Sequence, residues 1–343
     1  MTITTTPQTA TIKHLLRDTD LSRPVYEQLL ADAALLKREK ASGSIQPHLC
    51  GLNVAVIFEK PSTRTRSAFE VALHEEGAGC TYMDSASSHL GSSESFEDTA
   101  HVLSRFFDGI AYRGFAQSGV DQLAEHGSIP VWNALTNEWH PTQALADMLT
   151  MRETSEKPLK DIVVTFLGDG HNNVANSLMT SAAILGMDVR IGAPELLQPD
   201  PAVIDAARLI ASRSGARITV TTDVNAAIAG ADFLYTDVWV SMGESDELWD
   251  QRVPLLLPYR IDVDLMHGTG NAKTQFLHCL PSIHDSTTVL GKKIYDRFGL
   301  DGAEVSNDVF RSPASRVYDQ AENRMHTIKA IMLASFAPMN TGS

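Results

Sequence analysis

Short apolar runs alternate with longer segments in which apolar residues recur every three or four positions, and this alternation continues through most of the chain. The run Val54-Ala55-Val56-Ile57-Phe58 reads as a buried strand. A helix follows from about Thr63 and ends at Gly77 and Gly79. Cys80-Thr81-Tyr82-Met83 predicts a second strand. Ser95 to Phe106 predicts a helix, with Phe96, Ala100, Leu103 and Phe107 at helical spacing. Gly109 to Tyr112 is a third strand ending on Arg113, Val120 to His126 a helix, and Ile129 to Asn133 a fourth strand. Ahead of these, Tyr26, Leu29, Leu30, Ala33, Ala34 and Leu36 give one apolar face to a helix capped by Asp20 or Ser22. Strands and helices alternating in this way predict a parallel sheet with helices on both faces.

The fourth strand leads to Trp139-His140-Pro141-Thr142-Gln143 and a helix over Ala144 to Glu153, which Thr142 can cap. A polar junction, Ser155 to Asp161, then separates two rounds of the same pattern. Ile162 to Leu167 is a buried strand, Gly168 to Asn173 its turn and Val174 to Leu185 the helix. Asp188 to Ile191 and Ile218 to Thr221 flank a helix over Pro201 to Ser214, and Ala231 to Thr236 and Phe276 to His278 complete the strands. Gly243 to Gln275 is a long, mixed segment with one or two helices, a length that signals a functional loop. A last helix over Ser315 to Phe336 carries Arg324 near its middle. The fold class expected is α/β, with two doubly wound parallel-sheet domains over residues 1–153 and 154–314.

Composition sharpens this picture. A chain of 343 residues suits two domains of about 150 to 170 residues each. No apolar run approaches the roughly 18 to 20 residues of a membrane span, and the polar first ten residues lack a secretory signal pattern. Three cysteines at no metal-binding spacing suit a reducing cytoplasm. A net charge of −14 argues against a nucleic-acid partner or an anionic membrane surface. An arginine cluster inside so acidic a protein therefore implies a small local anion.

That cluster is Ser62-Thr63-Arg64-Thr65-Arg66, placed where a buried strand turns into a helix. Free N–H groups of a helix's first turn and the helix dipole both favour an anion there, and the arginine fork matches phosphate. Arg113 ends a strand of the same sheet, and strand ends are where α/β sheets place ligand contacts. His140 and Gln143 follow the next strand. Gly168-x-Gly170-x-x-Asn173 nearly spells a dinucleotide fingerprint. Its third position is Asn, however, and no acidic residue lies clearly at the end of the following strand, so a nicotinamide enzyme is disfavoured.

Taken in order, Ser62 to Arg66, His140-Pro141-Thr142-Gln143, Asp237-x-x-x-Ser241-Met242-Gly243, His278-Cys279-Leu280-Pro281 and Glu322-Asn323-Arg324 resemble the motifs of the aspartate/ornithine carbamoyltransferase family. The resemblance runs from about Leu21 to Phe336, and its third and fourth motifs resemble the pair that marks the ornithine-using members. It implies transfer of a carbamoyl group from carbamoyl phosphate to the side-chain amine of L-ornithine, with no metal, cofactor or covalent intermediate. It assigns carbamoyl phosphate to Ser62, Thr63, Arg64, Thr65, Arg113, His140, Gln143, Cys279, Leu280 and Arg324. Catalysis falls to Arg64, His140, Cys279 and Arg324, and ornithine to Asn173, Asp237, Ser241 and Met242. It also implies that a C-terminal helix, residues 315–338, returns to complete the first domain.

In the family, the polar loop after the second strand reaches a neighbouring subunit's site and carries Gln followed by a basic residue. Here His89 stands in the Gln place, followed by Ser92 and Ser93. The expectation is that His89 donates to phosphate across the interface of a homotrimer or an assembly of trimers. Rival readings are a carbamoyltransferase for another amine, such as putrescine or another amino acid, and a catalytically silent ligand-binding homologue. Asp237 and the Ser-Met-Gly turn favour an α-amino acid over a diamine.

Overall fold

The computed structural model describes residues 11–84, 93–241 and 243–337. They divide into two compact units, Met1–Leu149 with Glu322–Ser343, and Thr150–Ala321.

The first unit is built on four parallel strands, β1 (Asn53–Phe58), β2 (Gly79–Asp84), β3 (Gly109–Arg113) and β4 (Val131–Leu135), in the order β2-β1-β3-β4. From β1 the chain first builds outward to β2, then crosses to the other side for β3. This reversal puts the switch point between β1 and β3, where Phe58 pairs with Arg113 at the carboxyl edge. Such edges are where open α/β sheets leave a crevice for ligands. Helices cover both faces. Ala55, Ile57, Ile110 and Tyr112 pack with Ala100, Leu103, Val120 and Leu123 in one buried cluster. The last helix, Val317–Phe336, contributes its later turns to this unit. Trp132 Nε1 donates to Ser335 Oγ at 2.8 Å, and the Phe336 ring meets the Trp132 ring edge-on at 5.7 Å.

Three local expectations shift, each for a physical reason. The helix expected at Val120 begins a turn earlier, spanning Gln117–His126. Gly119 in that turn lies so close to its neighbours that a Cβ would sit 2.8 Å from the Tyr112 hydroxyl, so it serves close packing and does not break the helix. The fourth strand moves from Ile129–Asn133 to Val131–Leu135, because Pro130 has no N–H to give a ladder. The helix after it spans Pro141–Thr154. Pro141 opens it, as proline suits a first helical position, and the His140 carbonyl accepts from Gln143 N and Ala144 N at 3.0 and 3.2 Å. Thr142 therefore lies inside the helix and is not its cap.

The second unit holds five parallel strands, β5 (Val163–Leu167), β6 (Asp188–Gly192), β7 (Arg217–Thr221), β8 (Phe233–Thr236) and β9 (Gln275–His278), in the order β7-β6-β5-β8-β9. Its switch point lies between β5 and β8. The Asn173–Leu185 helix that follows β5 is buried along nearly its whole length and ends on Gly186 at φ +82°. The segment expected to hold one or two helices contains Trp249–Leu256 and Val263–Gly268, with short 3-10 turns beside the first. Among the described residues, no helix is long and apolar enough to cross a membrane.

Candidate active site

The carboxyl edges of the two sheets carry two groups of candidate side chains. In the first unit, the Thr63–Glu75 helix starts directly after β1, and its cap is Ser62, whose hydroxyl accepts from Thr65 N at 3.2 Å. That bond satisfies one first-turn donor; the other N–H groups of the turn, with the helix dipole, suit an anion. Thr65 is fully buried, and its hydroxyl accepts from Arg324 Nη1 at 2.8 Å. The last helix is thereby tied to the turn after β1. Arg66 turns away: Nε meets Glu70 Oε1 at 2.8 Å and the guanidinium stacks 3.6 Å from the centre of the Tyr82 ring.

Arg113, His140 and Arg324 are all buried. Burial, reinforced by the positive charges of Arg324 and Arg113, holds the His140 imidazolium well below the ordinary histidine range, so the ring is neutral at pH 7. That shift reports a positive local field inside a chain of net charge −14. His140 Nδ1 lies 3.3 Å from the Thr142 hydroxyl. With Nδ1 accepting that hydroxyl proton, the ring proton sits on Nε2. Gln143 is fixed by its own helix one turn on, where Nε2 donates to Asp147 Oδ1 at 2.6 Å. Its Oε1 is buried and takes no hydrogen bond from the described residues, which leaves an acceptor aimed at a donor such as an amide NH2.

In the second unit, Asp237 follows β8 beside the switch point. Its Oδ1 accepts from Val238 N at 2.8 Å and from the Cys279 thiol at 3.0 Å, while Oδ2 lies 3.4 Å from Asn172 Nδ2. Burial raises the Asp237 carboxyl above the usual range; Glu304 adds to this, and His278, the Cys279 thiol and Val238 N–H oppose it. Beneath Cys279, His278 Nδ1 accepts from Leu280 N at 2.8 Å, which places the ring proton on Nε2, 3.3 Å from Glu304 Oε1. Leu280 has φ +58° and is the only non-glycine residue with positive φ among those described, a conformation that marks functional turns. Donor atoms of Asp237, His278 and Cys279 lie within 4.8 Å of one another, as do those of Glu97, His101 and His126 at the surface of the first unit. His278 Nδ1 is taken by Leu280 N–H and Asp237 Oδ1 by the Cys279 thiol and Val238 N–H, so the first cluster is knit by hydrogen bonds.

Asn172, not singled out in the sequence, caps the Asn173–Leu185 helix by accepting from Ala175 N at 2.9 Å and also reaches Asp237. An Asn before a buried helix is a cap signal; its second contact depends on tertiary structure. Asn173 is the first residue of that helix. Ser241 N donates to Glu244 Oε2 at 2.6 Å. The dinucleotide-like glycine at 170 serves packing, since a Cβ there would lie 2.9 Å from the Leu197 carbonyl oxygen. His89 and Met242 lie outside the described residues.

Two family models match the chain. "Aspartate/ornithine carbamoyltransferase, carbamoyl-P binding domain" covers residues 13–153, and "Aspartate/ornithine carbamoyltransferase, Asp/Orn binding domain" covers residues 160–335. The chain is 51% identical over 327 residues to an ornithine carbamoyltransferase of Actinobacillus pleuropneumoniae, covering 95% of this chain and 98% of that protein. It is 54% identical over 309 residues to a catabolic ornithine carbamoyltransferase of Burkholderia mallei, covering 90% and 92%. Among solved structures, the ornithine carbamoyltransferase of Pyrococcus furiosus superposes with a TM-score of 0.86 at 36% identity, over 95% of this chain and 97% of that one. The anabolic enzyme of Campylobacter jejuni gives a TM-score of 0.82 at 32% identity, over 94% and 98%.

Proposed function

Since this chain belongs to the aspartate/ornithine carbamoyltransferase family, we propose that its two groups of side chains share out one reaction, the first unit holding carbamoyl phosphate and the second L-ornithine. The enzyme transfers the carbamoyl group of carbamoyl phosphate to the side-chain amine of ornithine, giving L-citrulline and phosphate.

The phosphate is held by the N–H groups at Ser62, Thr63 and Arg64, with Thr65 N–H kept by the Ser62 hydroxyl, and by the Arg64 and Arg113 guanidiniums. Negative charge grows on the carbonyl oxygen as the amine attacks. His140 Nε2–H, Arg324, Arg64 and the Thr65 hydroxyl oppose that charge as a preset donor group, a role worth roughly 3 to 4 kcal/mol per donor in comparable sites. Gln143 Oε1 accepts from the carbamoyl NH2, and the family resemblance assigns Leu280 to the same ligand.

Asp237 takes the α-ammonium of ornithine, and Asn173, Ser241 and Met242 hold its carboxylate end. The attacking amine must be neutral. An ordinary pKa of ~10.4 makes deprotonation at pH 7 cost about 4 to 5 kcal/mol, and the positive field that keeps His140 uncharged lowers that cost. Cys279 donates its thiol proton to Asp237, so its sulfur lone pairs remain to orient the amine. We further place the enzyme in the cytoplasm, which its three free cysteines support, as a homotrimer or an assembly of trimers. His89 then contributes to the phosphate site of a neighbouring subunit.

The observation that carries this reading is the neutral, buried His140 flanked by Arg113 and Arg324 beside an open Gln143 acceptor. Isotope-edited infrared spectroscopy of bound 13C-carbamoyl phosphate tests it. The carbonyl band is expected to move to lower wavenumber on binding, and Arg324→Gln to lose most of that shift while still binding. An unshifted band in the unaltered enzyme would refute the assignment.

A further inference from the structure

Away from the two groups of candidate side chains, Glu97, His101 and His126 meet on the surface of the first unit. Glu97 and His101 stand four residues apart on the Phe96–Phe106 helix and so share one face. His126 is the last residue of the Gln117–His126 helix. Its Nδ1 lies 3.9 Å from Glu97 Oε1, and its ring meets the His101 ring edge-on with centroids 6.2 Å apart. One donor atom from each residue lies within 4.8 Å of the other two. The base beneath them is fixed. Ala100 and Leu103 pack with Val120, Leu123 and Ala124 in one buried cluster. One turn on from His101, Ser104 Oγ accepts from Ser128 N at 3.1 Å. Gly127 allows this close passage, since a Cβ there would lie 2.6 Å from the Leu123 carbonyl oxygen and 3.3 Å from Ser104 Oγ. The chain before and after His126 is therefore pinned to the helix that carries Glu97 and His101.

We propose that these three side chains bind a divalent late transition-metal ion, zinc above all, which clamps the two helices together. Two imidazole nitrogens and one carboxylate oxygen suit Zn2+, Co2+ or Ni2+, whereas Mg2+ and Ca2+ prefer all-oxygen ligands. Tetrahedral zinc, with bonds of about 2.0 to 2.2 Å, sets its ligand atoms about 3.4 Å apart. Rotation of these solvent-facing side chains closes the present spacing to that value without moving either helix. Water completes the fourth position, as in zinc sites with three protein ligands. The competing reading is an ion pair between protonated His126 and Glu97, which makes no use of His101.

The test titrates Co2+, a coloured stand-in for zinc, into the chelator-treated full chain and follows visible absorption. Wild type is expected to develop the ligand-field bands of a nitrogen–oxygen site, saturating at one ion per chain. Binding at Cys50, Cys80 or Cys279 would add a sulfur-to-metal charge-transfer band and is thereby told apart. His101→Ala and His126→Ala should each abolish the nitrogen–oxygen bands, and Glu97→Gln should weaken binding by about tenfold or more. Saturating Zn2+ should raise the wild-type Tm by about 5 °C, and His101→Ala should lose most of that rise. Glu97 and His101 are exposed and His126 is half-buried, so without metal the variants should melt as wild type does. Wild type without nitrogen–oxygen bands, bands that survive both histidine variants, or equal zinc stabilisation of wild type and His101→Ala would each overturn the proposal.

Discussion

At the scale of single residues, chemistry depends on which atom of each side chain is left over. Gln143 matters because Asp147 takes its amide NH2 and leaves Oε1 as a buried acceptor. Gln143→Leu should weaken carbamoyl phosphate binding by about one to two powers of ten, the cost of a lost acceptor at a buried donor, about 1 to 3 kcal/mol. Calorimetric titration with carbamoyl phosphate checks it, and an unchanged Kd would remove Gln143 from the site. Thr65→Val deletes the hydroxyl that holds Arg324 and should lower kcat by about 10²-fold or more with a smaller change in carbamoyl phosphate Kd; steady-state kinetics separate the two. Residue types such as Arg64, His140 and Arg324 could be read from ordered motifs. Their couplings could not. The Arg324–Thr65 bond spans 259 positions, and Asn172 and Cys279 meet Asp237 only because β5, β8 and β9 are neighbours.

At the scale of elements, most boundaries follow from periodicity, and the exceptions have local causes. β1 needs no tertiary information, since its apolar run is bounded by the polar turn that Ser62 caps. The helix beginning at Gln117 was hidden by Gly119, whose missing Cβ makes room for Tyr112 and Phe96. The helix at Pro141 shows how a proline at the first position puts the cap at His140, two positions before Thr142. Ser62 caps the helix after β1, and the proposed function also gives it to carbamoyl phosphate. Ser62→Ala should cost about 0.5 to 2 kcal/mol, the range for a lost cap, and should also weaken carbamoyl phosphate binding. A denaturant melt with and without the ligand checks this: the cost should appear without ligand and grow in its presence.

At the scale of the whole molecule, repeated strand–helix alternation suffices to give two parallel sheets. Strand order, and hence the switch points that carry the side chains, depends on crossovers that periodicity does not encode. Acid sensitivity is another property set at this scale. Burial, aided by neighbouring lysines, lowers His14 and His326 to about 4, and burial with Arg324 and Arg113 lowers His140 well below 6.5. In each case the folded pKa lies below the unfolded one. Between about pH 6.5 and 4 the unfolded chain binds more protons, and stability falls as pH is lowered. Each histidine contributes up to about 1.4 kcal/mol per pH unit in that window. The urea midpoint should drop steadily from pH 7 to 4.5, and His326→Phe should flatten the slope; a midpoint independent of pH would contradict this. The reaction itself is tested most directly by supplying purified enzyme with carbamoyl phosphate and, separately, ornithine, putrescine, aspartate and lysine, and measuring ureido product and phosphate together. The account predicts citrulline and phosphate in equal amounts, with ornithine turned over far faster than any other amine. Faster turnover of another amine, or carbamoyl phosphate binding without citrulline, would contradict it.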